Sequence, residues 1–248
     1  NLNEITTDHA VVGWGDPGLP DLHGMYWSSS NDFTEAMYYR LAQSVSFSNS
    51  FIKNASELSG DEVNVFIAEA RFLRAYAYYN LLDLYGNVPL TTEISTELPT
   101  QSNRTELFNF IESELMEIES TLLASNEYGR VDNVAAHALL SRLYLNAEAW
   151  TGQDRYADCI TYSQNVINSG YTLNMNDANG NGTAYDELFM ADNDVNGAQN
   201  EFIFTLNFDG MQSQTYGGTT FLVHAAIGGS MNPGNFGVNG GWGGLRTT

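Results

Sequence analysis

Basic residues and cysteines are scarce in this chain of 248 residues. Lys and Arg number 9 against 30 Asp and Glu, so the formal net charge is −21, and Lys53 is the single lysine. Because nucleic-acid binding needs a basic surface that follows the phosphates, this charge excludes a phosphate-tracking protein. The single cysteine, Cys159, excludes an internal disulfide framework and a multi-cysteine zinc site.

Long apolar runs are also missing. Polar residues interrupt every stretch well before the roughly 18 consecutive apolar positions that a membrane span requires, so we expect no segment that crosses a bilayer. The N-terminal residues 1–4 show neither the basic nor the apolar region of a signal peptide, and the chain stops after a glycine-dense loop. We therefore expect a fragment. Hydrophobic residues make up 43% of the chain and aromatic residues 12%, a balance typical of a folded protein with a substantial core.

Five stretches have the three- and four-residue apolar spacing of amphipathic helices. Asn103 and Glu106 have the spacing of a capping box at the start of the third stretch. Helix pairs at 33–84 and 105–149 are compatible with a tetratricopeptide-like array, although the full consensus of that repeat is absent. The five predicted helices cover residues 32–58, 61–85, 103–122, 133–148 and 154–168.

Two of these helices show clear apolar stripes. The second carries Phe66, Ala70, Leu73, Ala77, Leu81 and Leu84, and the third carries Leu107, Ile111, Leu115, Ile118 and Leu122. We expect the glutamates on the other faces of the third helix to form a solvated acidic surface without a catalytic role. These glutamates are Glu112, Glu114, Glu117 and Glu119.

The segments on either side of the helices are irregular. Residues 1–31 are broken by glycine and proline and are expected to form an aromatic loop region, while residues 171–248 are rich in Asn and Gly. Residues 201–208 favour a strand or extended segment, and residues 215–244 a long loop. The predicted fold is mostly α, with tetratricopeptide-like helix pairs (32–170) packed against an irregular, loop-rich half with minor β structure.

Two short motifs resemble a dinucleotide-binding site and a calcium-binding loop, but the residues around each argue against that function. Residues 13–18 match G-x-G-x-x-G, but Pro17, Gly18 and Pro20 are expected to prevent the helix that a dinucleotide site must open. Residues 177–182 begin like a calcium loop, yet its twelfth position is a leucine, so a polar surface turn is the better interpretation.

No metal or cofactor is indicated elsewhere. The four histidines lack metal-ligand spacing, and His137, on an alanine-rich helix, is expected to be a packed histidine. No G-x-S-x-G nucleophile elbow is present, which removes the simplest serine-hydrolase interpretation.

Aromatic residues stand out in the irregular segments. Sugars present C–H patches on their ring faces and hydroxyls at their rims, so flat aromatic rings beside polar side chains suit them. The alternative is that these rings cover the helical core. The aromatic residues concerned are Trp14, Tyr26, Trp27, Tyr216 and Trp242.

The segment AEARFLRAYAYYNLLDLYGNVPL, residues 68–90, closely resembles the signature helix of the SusD-like (RagB/SusD) family of glycan-binding surface lipoproteins of Bacteroidota. Tyr128-Gly129-Arg130, followed by the helix at 135–150, resembles a second family stretch. Residues in the last quarter of the chain resemble the family's central region. They are 200–205, 216–222 and 240–246.

The resemblance implies a non-catalytic protein that holds an oligosaccharide or polysaccharide and delivers it to a SusC-like TonB-dependent transporter. It also implies an outer-membrane lipoprotein on the external face, held by a lipid anchor that this chain lacks. The whole of residues 1–248 would then be one incomplete SusD-like domain, since family members are considerably longer.

The resemblance also suggests a binding site. An arc of aromatic rings cradles the glucan in starch-binding members, and Tyr216 and Trp242 lie in regions that would contribute to it. Trp27 is the first candidate for a third ring and Trp14 the second.

Two polar residues complete the candidate site. Asn31 would hydrogen-bond sugar hydroxyls, and Arg246 would either donate to a sugar or hold its loop. The negative charge favours neutral glycans. The resemblance to starch-binding members implies α-glucan of the starch type as the ligand among them. A helical glycosidase, with its acid and base among the many carboxylates, and a protein-binding helical-repeat scaffold remain open as alternatives.

Overall fold

The computed structural model describes residues 2–209, 211–213 and 217–247. The chain divides into two compact units, one of residues 1–40 with 207–248 and one of residues 41–206. We call the first the loop-rich unit and the second the helical unit. Helix α2, Asp32–Ala55, begins in the loop-rich unit and ends in the helical unit. Within the described ranges, no helix combines the length and the apolar character that a membrane span needs.

The helical unit confirms the five predicted helices. Helix α3 (Asp61–Tyr85) packs on α4 (Arg104–Ile118), and helix α5 (Asn133–Leu145) packs on α7 (Tyr156–Ile167). The closest pairs therefore differ from those expected at 33–84 and 105–149. The predicted fourth helix is interrupted at Asn146 and forms α5 and α6. After α2 the elements of this unit are α3 Asp61–Tyr85, β2 Val88–Pro89, β3 Gln101–Ser102, α4 Arg104–Ile118, α5 Asn133–Leu145, α6 Ala147–Thr151, α7 Tyr156–Ile167, and 3₁₀ turns at Asp186–Phe189 and Ala198–Asn200.

Helix α4 begins at the predicted capping box. The Asn103 side-chain oxygen accepts from the Glu106 amide at 3.0 Å, and the Glu106 carboxylate accepts from the Asn103 amide at 2.9 Å. Its apolar stripe is buried: Leu107, Ile111 and Leu115 are all 0% exposed. Since burial of each such side chain contributes about 1.5–3 kcal/mol, this stripe fixes α4 in the core.

The acidic face of α4 was expected to be solvated, and this is wrong for Glu114, which is 6% exposed. Its Oε1 accepts from Arg71 Nη2 at 2.6 Å, and its Oε2 accepts from Arg74 Nε at 3.0 Å. Arg74 also donates to the Asn49 side-chain oxygen at 2.8 Å. A buried carboxylate has to be paired, and two arginines from α3 provide that pairing.

The loop-rich unit contains more regular structure than expected. Strands β1 (Ala10–Val12) and β4 (Leu245–Thr247) pair antiparallel, with Val11 opposite Arg246. A short core of Ile5, Leu19 and Leu22 lies beside them. The elements of this unit before and after α2 are β1 Ala10–Val12, α1 Leu19–His23, α8 Gly218–Ala226, a 3₁₀ turn at Pro233–Phe236 and β4 Leu245–Thr247.

Three expectations from sequence are corrected here. Helix α1 forms although Pro20 was expected to prevent a helix, because a proline in the first helical turn loses no backbone hydrogen bond. Helix α8 and a 3₁₀ turn occupy part of the loop expected at 215–244. Residues 201–208, for which we expected a strand or an extended segment, are all described and form no strand.

Candidate functional site

The segment 242–244 is fixed against the C-terminal end of helix α8. The last carbonyls of a helix have no partner within the helix and must be satisfied from outside. Three amides donate to the end of α8: Trp242 to His224 O at 2.7 Å, Gly243 to Ile227 O at 2.8 Å and Gly244 to Ala225 O at 3.0 Å. These bonds give Trp242 a defined main-chain position.

The indole of Trp242 lies among aromatic neighbours in the loop-rich unit. The His224 imidazole stacks on it, with ring centroids 4.8 Å apart and planes at 28°. The Phe221 ring lies at 6.5 Å in an edge contact. Trp242 remains 36% exposed, so part of the ring is available to a ligand.

Trp14 supports this arrangement. Its Nε1–H donates to the main-chain carbonyl of Trp242 at 3.1 Å, its ring meets Phe221 edge-on at 5.9 Å, and it packs against the small core of the loop-rich unit. Gly244 allows this approach, because a Cβ there would overlap the Trp14 indole. The structure therefore brings Trp14 and Trp242 together, with Trp14 as a partly buried brace.

Trp27 is displayed on a separate exposed stretch. Met25, Tyr26 and Trp27 are 68%, 66% and 44% exposed, an unusual run of three apolar surface residues. Met25 has a φ of 56°, a left-handed conformation that is uncommon for a non-glycine residue and that recurs at ligand sites. Within the described part of the chain, Trp27 makes no ring contact or side-chain hydrogen bond with Trp14 or Trp242.

Asn31 acts inside the protein. It is 5% exposed, its Oδ1 accepts from the amides of Phe33 and Thr34 at 3.1 and 3.3 Å, and its Nδ2 donates to Gly18 O at 2.9 Å. Gly18 has a φ of 88°, and a Cβ there would crowd this amide. The geometry gives Asn31 the role of cap for α2, where we expected an amide presented to a sugar.

The two remaining predicted residues are Tyr216 and Arg246. Tyr216 lies outside the described residues. The backbone of Arg246 belongs to β4, and its side chain lies outside the described part of the chain. Sequence reasoning missed His224 and Phe221 and left Tyr26 out of the site, although its position beside Trp27 was a usable signal.

The loop that begins at Asp177 is closed by its own hydrogen bonds. Asp177 accepts from the amides of Asn181 and Gly182 at 3.0 and 2.8 Å, and the buried Glu187 accepts from the Asn179 amide at 2.7 Å. Hydrogen bonds, led by the one from the Asn179 side chain, lower the pKa of Asp186. Among the described residues, no group of three or more His, Cys, Asp and Glu side chains has a geometry that would hold a metal ion.

A cavity of about 290 Å³ lies within the helical unit, between the 124–134 segment and residues 199–205. Its polar side chains are engaged with the protein. Arg130 pairs with Glu69 at 2.7 Å, and the Tyr171 hydroxyl donates to Asp132 at 2.7 Å. We therefore place the candidate ligand site at the aromatic residues of the loop-rich unit.

Comparison with known proteins assigns the chain to a family. Residues 22–145 match a SusD-like family model described as starch-binding and associating with the outer membrane. The chain belongs to the SusD-like family. The match covers the signature helix at 68–90 on which the sequence resemblance was based, so that expectation is confirmed. The mostly helical fold is confirmed as well.

A curated relative is also described as starch-binding. The starch-binding protein SusD of Bacteroides thetaiotaomicron is 39% identical over 227 residues, which are 90% of this chain and 40% of that protein. This SusD-like chain therefore spans less than half the length of that relative.

Solved structures share the fold. A structure described as containing a xylogluco-oligosaccharide matches with a TM-score of 0.77 at 22% identity, covering 92% of this chain and 45% of that one. A laminarin-binding SusD-like protein matches with a TM-score of 0.67 at 25% identity, covering 79% of this chain and 43% of that one.

Proposed function

We propose that this SusD-like protein binds neutral oligosaccharides or polysaccharides without cleaving them, with α-glucan of the starch type as the preferred ligand. The observation that carries the proposal is the partly exposed Trp242 indole, which lies against the rings of Phe221 and His224, while the Trp242 main-chain carbonyl accepts a hydrogen bond from Trp14 in the loop-rich unit. A ring that is fixed before binding loses little freedom when a sugar face stacks on it.

The proposed preference for starch is based on sequence similarity to a starch-binding relative. The relative that is 39% identical over 90% of this chain is named as starch-binding, and the matching family model is described in the same terms. The net charge of −21 repels anionic glycans and so supports a neutral ligand. Affinity is expected to be modest, because an exposed stacking surface buries little area.

The rest of the site is proposed around Trp242. Trp27 supplies a second ring from the exposed stretch that also holds Tyr26, and Tyr216 and Arg246 contribute from the segments on either side of α8. Asn31 and Trp14 act from within the protein, as a helix cap and as a brace. All six belong to a single SusD-like domain in this proposal.

Membership of the family supports a proposed cellular role. The protein sits at the external face of the outer membrane as a lipoprotein and passes the glycan to a SusC-like TonB-dependent transporter. Opening would expose the loaded face to the medium, and closure would confine the sugar above the transporter pore.

A binding and product assay tests this proposal. The full-length protein is titrated by calorimetry with maltoheptaose, a laminarin oligosaccharide and a xyloglucan oligosaccharide, and each mixture is then analysed for products. We expect heat of binding with maltoheptaose and intact sugar after incubation. Products that disappear on changing one Asp or Glu would establish the glycosidase alternative, and binding of no sugar at all would favour the protein-binding scaffold.

A further inference from the structure

His224 contacts Trp242 in two ways. Its main-chain carbonyl accepts from the Trp242 amide at 2.7 Å, and its imidazole stacks on the indole at a centroid distance of 4.8 Å. The proposed function uses the Trp242 ring and leaves this histidine without a role. Rings at this distance with planes inclined at 28° lie in a tilted face-to-face stack, so His224 covers part of one indole face.

The orientation of the imidazole is itself fixed. Its Nδ1 lies 2.7 Å from the carbonyl oxygen of Gly240, which can only accept, so Nδ1 carries the hydrogen. Gly240 is two residues before Trp242 in the same segment. The side chain therefore connects the last turn of α8 to both the main chain and the ring of the segment that it faces.

Gly241 brings the segment close to the end of α8. A Cβ on Gly241 would overlap the carbonyl oxygen of Ile227, just after α8, so the segment approaches the helix end as closely as a backbone can. With the backbone held by Gly241 and the imidazole held by Gly240, the Trp242 ring has a stacking surface on one side.

We propose that His224 is a positioning residue for glycan binding: its imidazole holds the Trp242 indole in the orientation that receives the sugar. The inference rests on the proposed function for its glycan readout. The stacking surface is the essential part, and the hydrogen bond to Gly240 keeps that surface in place.

Two substitutions separate the surface from the hydrogen bond. His224→Asn keeps a donor near the Nδ1 position and removes the ring, whereas His224→Phe keeps a ring and removes the donor. His23→Asn, in the exposed last turn of α1, is the matched control.

We expect maltoheptaose affinity to fall about three- to tenfold in His224→Asn, since ordering a loosened ring costs affinity. It should stay within about twofold of wild type in His224→Phe and His23→Asn. Wild-type affinity in His224→Asn, or equal weakening in both His224 variants, would overturn the proposal.

A measurement without ligand makes the test independent of the proposed function. The near-ultraviolet circular dichroism of Trp242 is isolated by subtracting the spectrum of Trp242→Phe from that of the parent, in the wild-type and in each His224 background. We expect this signal to diminish in His224→Asn and to persist in His224→Phe, with unchanged far-ultraviolet helical signal. An unchanged Trp242 signal in His224→Asn would refute the positioning role even if glycan binds. A signal that depends on His224 in a protein that binds no glycan would uphold the positioning of Trp242 and refute the proposed function.

Discussion

The indole Nε1–H of Trp14 donates to the main-chain carbonyl of Trp242 at 3.1 Å, across 228 positions of sequence. This bond joins the start and the end of the loop-rich unit beside the β1–β4 pair. It shows that one loop tryptophan holds another in place. In the candidate site, Trp14 therefore lies inside and holds Trp242, and the Trp242 ring lies outside, where a sugar can reach it.

Gly244→Ala should disturb this relationship. The new Cβ would overlap the Trp14 indole, and overpacking of this kind typically costs about 1–3 kcal/mol. We expect lower stability and weaker glycan binding, measured by urea unfolding and calorimetry. Gly240→Ala is the matched control, because a Cβ there meets nothing within 4 Å. Equal behaviour of the two variants would refute the close packing of Trp14 on Gly244.

Asn31→Ala should destabilise the start of α2. It removes the side-chain cap and the bond to Gly18 O, and loss of such a cap costs about 0.5–2 kcal/mol. Ser30→Ala, an exposed neighbour, should change the free energy of unfolding by less than about 0.5 kcal/mol. If Asn31→Ala keeps full stability and loses glycan binding, Asn31 is a ligand contact and the capping role is wrong.

Glu114→Gln should destabilise the helical unit strongly. The change removes the carboxylate shared by Arg71 and Arg74, and breaking a buried ion pair costs about 3–5 kcal/mol. Glu117→Gln is the comparison, since Glu117 also pairs with Arg71 but its side chain is 63% exposed. We expect a cost below about 1 kcal/mol there. Similar unfolding midpoints for the two variants would contradict a buried network.

The turn after Asp209 should be sensitive to acid. Hydrogen bonds from the backbone amides of Ser213, Met211 and Gln212 hold the pKa of the Asp209 carboxyl below its ordinary value. A lowered folded-state pKa means that the charged form stabilises the turn above the unfolded pKa, and that this contribution is lost as the pH falls through the folded value. An NMR titration of the Asp209 carboxyl carbon should give a pKa below about 3.9. A value at or above that would contradict the three amide bonds.

The helices show what spacing predicts and what it does not. The stripe predicted for α4 is buried from Leu107 to Ile118, although its spacing did not predict that Phe108, 2% exposed, is buried as well. In α3 the predicted stripe includes Leu73, which is 41% exposed, and omits Phe72 and Tyr78, which are 2% and 1% exposed. Helix α3 packs against both α4 and α5, so a single stripe could not describe it.

The sequence predicted which type of residue forms the candidate site, but it did not predict how those residues contact one another. Loop aromatics and the family resemblance predicted that Trp242 matters. The stacking of His224 depends on how residues 227–241 return the chain to the end of α8, and no local periodicity encodes that path. The capping role of Asn31 could have been recognised, since asparagine before a helical run is a common N-cap.

The affinity of Trp242→Ala for maltoheptaose tests the account most directly. Tyr185→Ala is the matched control, because Tyr185 is an aromatic residue of the helical unit that is 70% exposed and lies outside the proposed site. We expect calorimetry to show binding by wild type and Tyr185→Ala and a loss of at least about tenfold in Trp242→Ala, as removal of a stacking ring and its buried area would cause. Undiminished binding by Trp242→Ala, in protein of unchanged helical content, would contradict the proposed site.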